Sequence, residues 1–299
     1  MLNETFDQLD ESERWYISDF AVAASWNHTA WDAEYLLTPP GEAVLTLDGT
    51  DTEGKDFTGS ELQSQDFYGY GSYEVEMTAS DVSGVVSSFF LFSNTFFGAA
   101  RHNEIDFEFL GNDTTKVNIN YYYGNQKLGD NGSVQVDLGF DAAAGMHSYR
   151  IEWHPDGIRW YADGTLLYEV TGETAPLPVP DEPMKIYMNI WTGGAGLENW
   201  HGPVAPDAEA EASYTSVTYT PMCPKLPPIP AARSPLPART RLMWSILRTT
   251  VFPAPPGSWR LATRSLLGMS MPMTPAKCPK NGTATDRICL PTSPPAAAG

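Results

Sequence analysis

Short runs of alternating polar and apolar residues fill the first 222 positions, and they restrict the fold more than any other feature. They include Tyr73-Glu74-Val75-Glu76-Met77, Val117-Asn118-Ile119-Asn120-Tyr121, Tyr149-Arg150-Ile151-Glu152-Trp153, Ile158-Arg159-Trp160-Tyr161 and Tyr214-Thr215-Ser216-Val217-Thr218-Tyr219. A period of two is what a half-buried β-strand requires, because successive side chains point to opposite faces. No long stripe of apolar residues at i, i+3, i+4, i+7 accompanies them, so core helices are not expected. Val85 to Phe92 is more continuously apolar and suits a strand covered on both faces. Asp156-Gly157 and Asp163-Gly164 are turn dipeptides, and the first fits a tight hairpin. Many short strands separated by turns predict an all-β sandwich of two antiparallel sheets.

The alternation stops near Met222, and the composition changes with it. Residues 1–222 carry 36 acidic and 8 basic side chains, a net charge of −28, whereas residues 223–299 carry 1 acidic and 10 basic, a net of +9. The second segment also holds 15 of the 25 prolines, and those at 224, 227, 228, 230, 235 and 237 would interrupt a helix or a central strand. We therefore divide the chain into a folded domain over 1–222 and a basic, Pro-rich tail over 223–299. Arg239 to Val251 could form a short helix with Leu242, Ile246 and Leu247 on one face, but a disordered tail fits the composition better. One acidic residue among 77 and an excess of Pro, Arg, Ala and Thr also resemble out-of-frame translation of GC-rich DNA.

Several classes of function drop out. So acidic a domain has no basic face for nucleic acid. No apolar run is long enough to span a membrane, and the richest, Gly84 to Ala100, is broken by Ser87, Ser88, Ser93, Asn94 and Thr95. Met1 to Asp7 is acidic and lacks the apolar stretch of a signal peptide. Cys223, Cys278 and Cys289 all lie in the tail without metal-ligand spacing, so the domain depends on no disulfide. The histidines, His28, His102, His147, His154 and His201, show no ligand spacing either, and no metal site is expected from them.

The chemistry is concentrated in His102-Asn103-Glu104-Ile105-Asp106-Phe107-Glu108-Phe109-Leu110-Gly111. On a strand, Glu104, Asp106 and Glu108 share one face while Ile105, Phe107 and Phe109 share the other. A solvated edge strand would explain acidic residues that oppose aggregation. Three like charges in a row are costly, however, and crowding drives at least one carboxyl to keep its proton. A protonated acid beside an ionised one is what cleavage of a glycosidic bond needs. Glu104 and Glu108 stand about 13 Å apart along a straight backbone, so curvature and leaning side chains must bring the carboxyl groups together.

The run Glu-Ile-Asp-Phe-Glu-Phe-Leu-Gly resembles the ExDxE signature of glycoside hydrolase family 16, which includes bacterial lichenases and plant xyloglucan endotransglycosylases. The similarity extends from about Thr5 to Pro221. Segments matching in order include Arg14-Trp15-Tyr16, Phe67 to Val75, Gly84 to Phe90, Lys116 to Tyr122, Trp160 to Gly164 and Lys185 to Trp191. The resemblance implies a concanavalin A-like β-jelly roll of two curved antiparallel sheets with an open cleft. It also implies a retaining, double-displacement mechanism, in which Glu104 matches the nucleophile, Asp106 the assisting carboxylate and Glu108 the general acid/base. Glu61, His102, Asn120, Tyr122, Asn189 and Trp191 match positions that line sugar subsites. For Tyr122 and Trp191 the alternative is core packing. The family often carries a structural calcium, whose ligands the sequence does not identify; the chemistry needs no cofactor.

Three departures bear on substrate. His102 stands where lichenases usually have Trp, as in the xyloglucan enzymes, though Asn103 replaces their Asp. Gln63 replaces a subsite arginine, and Phe20-Ala21-Val22-Ala23-Ala24 replaces an Asn-Gly-Gly stretch. The uninterrupted ExDxE spacing argues against laminarinases. The resemblance therefore implies a secreted endo-β-glucanase acting on mixed-linkage β-1,3-1,4-glucan, expected to be a monomer. A bacterial exopolysaccharide glycanase, a xyloglucan endotransglycosylase and a carbohydrate-binding jelly roll remain as alternatives.

Overall fold

A computed structural model describes residues 1–9, 13–95, 99–124, 126–128 and 133–222. The tail over 223–299, which includes all three cysteines and the segment from Arg239 to Val251 considered for a short helix, lies outside the described residues. The longer strands are β1 (Ala43–Asp48), β2 (Phe57–Ser64), β3 (Gly71–Thr78), β4 (Val85–Phe92), β5 (Asn103–Leu110) and β6 (Lys116–Tyr123). They continue with β7 (His147–His154), β8 (Gly157–Ala162), β9 (Thr165–Thr171), β10 (Lys185–Thr192) and β11 (Glu209–Pro221). Each alternating run of the sequence falls within one of them.

These strands form two curved sheets, the β-jelly roll sandwich expected from the sequence. The front sheet runs Trp15–Ile17, β2, β10, β4, β5, β6, with Val134–Asp137 beyond. The back sheet runs β9, β8, β7, β3, β11, β1. Strand β2 serves both, pairing with β10 through Ser60–Gln63 and bridging to β1 at Thr58. Its first residues also pair in parallel with Thr29–Trp31, an exception to the antiparallel expectation.

Both dipeptide turns close hairpins, in different ways. Asp163 and Gly164 occupy the two loop positions between Ala162 and Thr165 with φ of +46° and +75°. Two left-handed residues give a turn whose twist matches the strands, and Gly supplies the second at little cost. In the first hairpin the loop residues are Pro155 and Asp156, one position earlier than expected, and Gly157 already pairs with His154. A Cβ on Gly157 would meet the Val170 carbonyl oxygen at 2.3 Å, so the close strand approach requires glycine.

The core fills the space between the sheets. Ile105, Phe107 and Phe109 of β5 are fully buried against Tyr149 and its neighbours of the back sheet. Aromatic residues of the back sheet also reach through the core to front-sheet carbonyls. The Trp160 indole donates to the Asp106 oxygen at 3.0 Å, and the Tyr214 hydroxyl donates to the Ser88 oxygen at 2.9 Å. The backbone that carries the acidic run is thus tied to the opposite sheet.

Candidate active site

Strand β5 is paired on both sides, with β4 and with β6, so the acidic run is not an edge-strand device. The alternation is as expected: the three apolar residues face the core, and Glu104, Asp106 and Glu108 face outward onto the front sheet.

The strand register arranges the cleft floor in rows, because residues opposite one another on paired strands share a face. The row through Glu108 reads Asn118 on β6, then Ser88 on β4, Asn189 on β10 and Glu61 on β2. The row through Asp106 reads Asn120, then Phe90, Tyr187, Gln63 and Tyr16. The row through Glu104 reads Tyr122, Phe92 and Lys185. Five strands at about 4.8 Å spacing make a floor roughly 19 Å long, lined by carboxyls, amides and aromatic rings. Such a surface suits an extended sugar chain, which offers hydroxyls at its edges and apolar ring faces.

Electrostatics separate the carboxyls. Glu108 is pushed up to about 8, first by burial and then by the charge of Glu104, with Lys127 opposing. Asp106 is raised well above the usual carboxylate range by burial, by Glu104 and Glu108, and by a hydrogen bond to Glu104. Its Oδ1 is buried without a partner. Glu61 is pushed up to about 7 by burial and Glu104, although Ser18 and Asn189 stabilise its charge. Glu104 Oε2 and His102 Nε2 are hydrogen-bonded at 2.5 Å. The site therefore favours the protonated forms of Glu61, Asp106 and Glu108.

The expected subsite residues fall into two groups. Glu61 and Asn189 sit together on the floor, Asn189 Nδ2 donating to Glu61 Oε2 at 3.2 Å. The Asn189 Oδ1 is left buried without a partner, an acceptor suited to a sugar hydroxyl. Tyr122 faces all three carboxyls, and burial followed by their charges raises its phenol. Asn120 shares the floor row, but its Oδ1 is used by the Leu128 N–H at 3.2 Å. Trp191 lies at the same strand parity as Asn189 yet is 8% exposed and packs with Trp31, Val86 and Leu110. Trp26 meets it edge-on at 5.6 Å, so the packing alternative describes much of its environment. His102 needs correction. It was expected to meet substrate, but it is 0% exposed, stacked under Tyr122 at 4.4 Å and hydrogen-bonded to Glu104. Packing from both neighbouring strands covers its ring.

The sequence did not single out Ser18, Lys127, Tyr187 or Phe90. The Ser18 hydroxyl donates to Glu61 Oε1 at 2.7 Å and accepts from Gln63 Nε2 at 3.1 Å. Gln63 Oε1 in turn accepts from Tyr187 at 3.0 Å and Lys185 at 3.3 Å. The substituted Gln63 is therefore the centre of a network. Tyr187 could have been found from parity, since it sits two positions from Asn189 on its strand, whereas Phe90 shares a strand with no expected site residue and is placed by its pairing with Asp106.

No group of three or more His, Cys, Asp and Glu side chains among the described residues is placed to hold a metal ion. No described helix is long and apolar enough to cross a membrane.

A curved two-sheet sandwich with paired carboxyls of unequal proton affinity on its open face defines a glycoside hydrolase. The family model for Glycosyl hydrolases family 16 matches residues 19–215, and the chain belongs to that family. A curated β-glucanase of Brevibacillus brevis is 36% identical over 221 residues, covering 73% of this chain and 81% of that protein. A lichenase structure from a mouse hindgut metagenome is 33% identical with a TM-score of 0.66, covering 74% of this chain and 99% of that one. The Bacillus licheniformis β-glucanase structure is 35% identical with a TM-score of 0.65, covering 74% and 98% respectively.

Proposed function

We propose that the chain is a retaining endo-β-glucanase that cuts internal bonds of mixed-linkage β-1,3-1,4-glucan. The observation that carries this reading is the run of three carboxyls on one face of β5, Glu104, Asp106 and Glu108, on the open floor of the front sheet, with burial raising the proton affinity of Glu108. Similarity to a β-1,3-1,4-glucanase structure supports the linkage. The open, five-strand floor supports attack within a chain rather than at its end.

In this reading Glu104 attacks the anomeric carbon while Glu108 gives its proton to the leaving glycosidic oxygen. The C–O bond to the leaving sugar breaks as an ester bond to Glu104 forms. Esterification removes the Glu104 charge, which lowers the proton affinity of Glu108. Glu108 then takes a proton from water, and the water oxygen displaces Glu104 from the sugar. Two inversions give net retention. Asp106 keeps its proton and hydrogen-bonds to Glu104, orienting the nucleophile. Glu61 and Asn189 take sugar hydroxyls, and Phe90 and Tyr122 supply ring faces. A polymer of this size does not cross membranes, so the reading places the reaction outside the cell.

The test is a product-resolved assay on lichenan, barley β-glucan, laminarin, xyloglucan and a bacterial exopolysaccharide, with xyloglucan also run with an added oligosaccharide acceptor. We expect oligosaccharides from the first two and retained anomeric configuration by NMR. Replacing Glu104 with Ala should abolish hydrolysis without loss of fold. Full activity in that variant, or inverted products, would overturn the mechanism. Binding without turnover on every glucan would favour a carbohydrate-binding module instead.

A further inference from the structure

The nucleophile needs a reason to carry the site's negative charge. Four carboxyl groups, Glu61, Glu104, Asp106 and Glu108, share one floor, and all but Glu104 are pushed toward their protonated forms by burial and by the charge of Glu104. Tyr122 and Tyr187 also lie within the field of Glu104. Lys127 acts on Glu108, and Lys185 stands two strands away in the Glu104 row.

His102 provides the asymmetry. Its side chain is 0% exposed, and its Nε2 lies 2.5 Å from Glu104 Oε2. The residue is two positions before Glu104 and so approaches from the same face. Tyr122 from β6 stacks on the imidazole at 4.4 Å with an interplanar angle of 22°. Phe92 from β4 meets it edge-on at 5.5 Å and 85°. The backbone is held too, since the His102 N–H donates to the Ala99 oxygen at 3.0 Å and Asn103 pairs with Ser93. Rings from both flanking strands therefore fix the direction in which Nε2 points.

We propose that His102 is a positioning residue for the nucleophile, its Nε2–H donating to Glu104 Oε2 so that this carboxylate is held in one orientation toward the substrate. Together with Asp106, whose hydrogen bond also reaches Glu104, it holds the attacking carboxylate between two donors. A charge-assisted donor in a dry site stabilises the ionised acceptor and limits its rotation. The role rests on the reading of Glu104 as nucleophile.

Two variants separate this role from packing. His102→Phe keeps an aromatic ring under Tyr122 but removes the donor. His102→Gln places an amide N–H near the Nε2 position. With the full chain on its best glucan substrate, His102→Phe should lower kcat about 10- to 100-fold with KM nearly unchanged. It should also move the acid limb of the kcat/KM profile upward by about one pH unit. His102→Gln should recover kcat to within about threefold and restore the acid limb. If His102→Phe does not fold, judged by near-UV circular dichroism, His102→Asn replaces it, because its shorter amide leaves Oε2 without the donor.

An unchanged pH profile in the donor-less variant overturns the proposal. So does a loss confined to KM, or equal impairment in His102→Gln. The nucleophile reading is checked separately with Glu104→Ala. If that variant hydrolyses glucan, the reading of Glu104 fails whatever His102 does. If it is inactive while His102→Phe behaves like the parent, only the role of His102 fails.

Discussion

Glu108 and Glu61 keep their protons at pH values where an exposed glutamate has lost its own, and that has a consequence for stability as well as catalysis. Their folded values, about 8 and about 7, lie above the unfolded value near 4.3. Below about pH 4 both states are protonated and the shift has no effect. As pH rises, the unfolded chain ionises first, so folding stability falls until the folded group also ionises. Replacing Glu108 with Gln removes this loss. The gain should be near zero at about pH 4.5 and reach on the order of 1–3 kcal/mol above about pH 8, after discounting for partial solvent screening. Thermal midpoints of Glu108→Gln and parent at the two pH values check the sign, and a gain equal at both would contradict it. The same variant should hydrolyse polymeric glucan about 100-fold or more slowly, and the alkaline limb near pH 8 should disappear from its residual kcat/KM.

At the scale of elements, strand β5 with its acidic run is held from behind. Trp160 on β8 is fully buried and bridges the core to the Asp106 carbonyl, so a back-sheet residue sets the height of the middle carboxyl. Trp160→Phe removes that donor and opens a small void. It should cost about 2–4 kcal/mol in denaturant-determined stability and lower kcat several-fold with KM little changed. An unaltered kcat in the folded variant would separate core from site. The strands themselves were readable in the sequence because a half-buried sheet imprints its period directly. The faces of Glu104, Asp106 and Glu108 followed from parity alone, and their proposed roles came from the family resemblance. Partners across the sheet were not readable. Ser18 and Glu61 are 43 positions apart, and Gln63 and Tyr187 are 124 apart. Alternation tells which way a side chain points but not which strand lies beside it. His102 shows the same limit: its parity placed it toward the site, yet only the rings of Phe92 and Tyr122 from neighbouring strands determine that it meets Glu104 rather than solvent.

At the scale of the molecule, the folded domain has far more carboxylates than it can neutralise. Of its 8 basic residues, five form ion pairs with carboxylates among the described residues: Arg14 with Glu4, Arg101 with Glu182, Lys116 with Asp113, Arg150 with Glu152 and Arg159 with Glu169. Lys55 instead donates to the carbonyls of Ala24 and Asn27, and Lys185 to Gln63. With 36 acidic residues in the domain, most surface carboxylates repel one another without local compensation. This repulsion is greater in the compact state, where the charges are closer than in the expanded chain. Salt shortens its range, with the Debye length falling from about 30 Å at 0.01 M to about 3 Å at 1 M. Thermal midpoints should therefore rise by several degrees between about 10 mM and 0.5 M NaCl. The rise should be steepest at the low end and similar in KCl, because screening depends on ionic strength and little on the cation. The surface pairs would oppose this trend, but each contributes only about 0–1 kcal/mol and weakens in salt as well. A midpoint that stays flat or falls across this range would show that the folded domain tolerates its charge without screening.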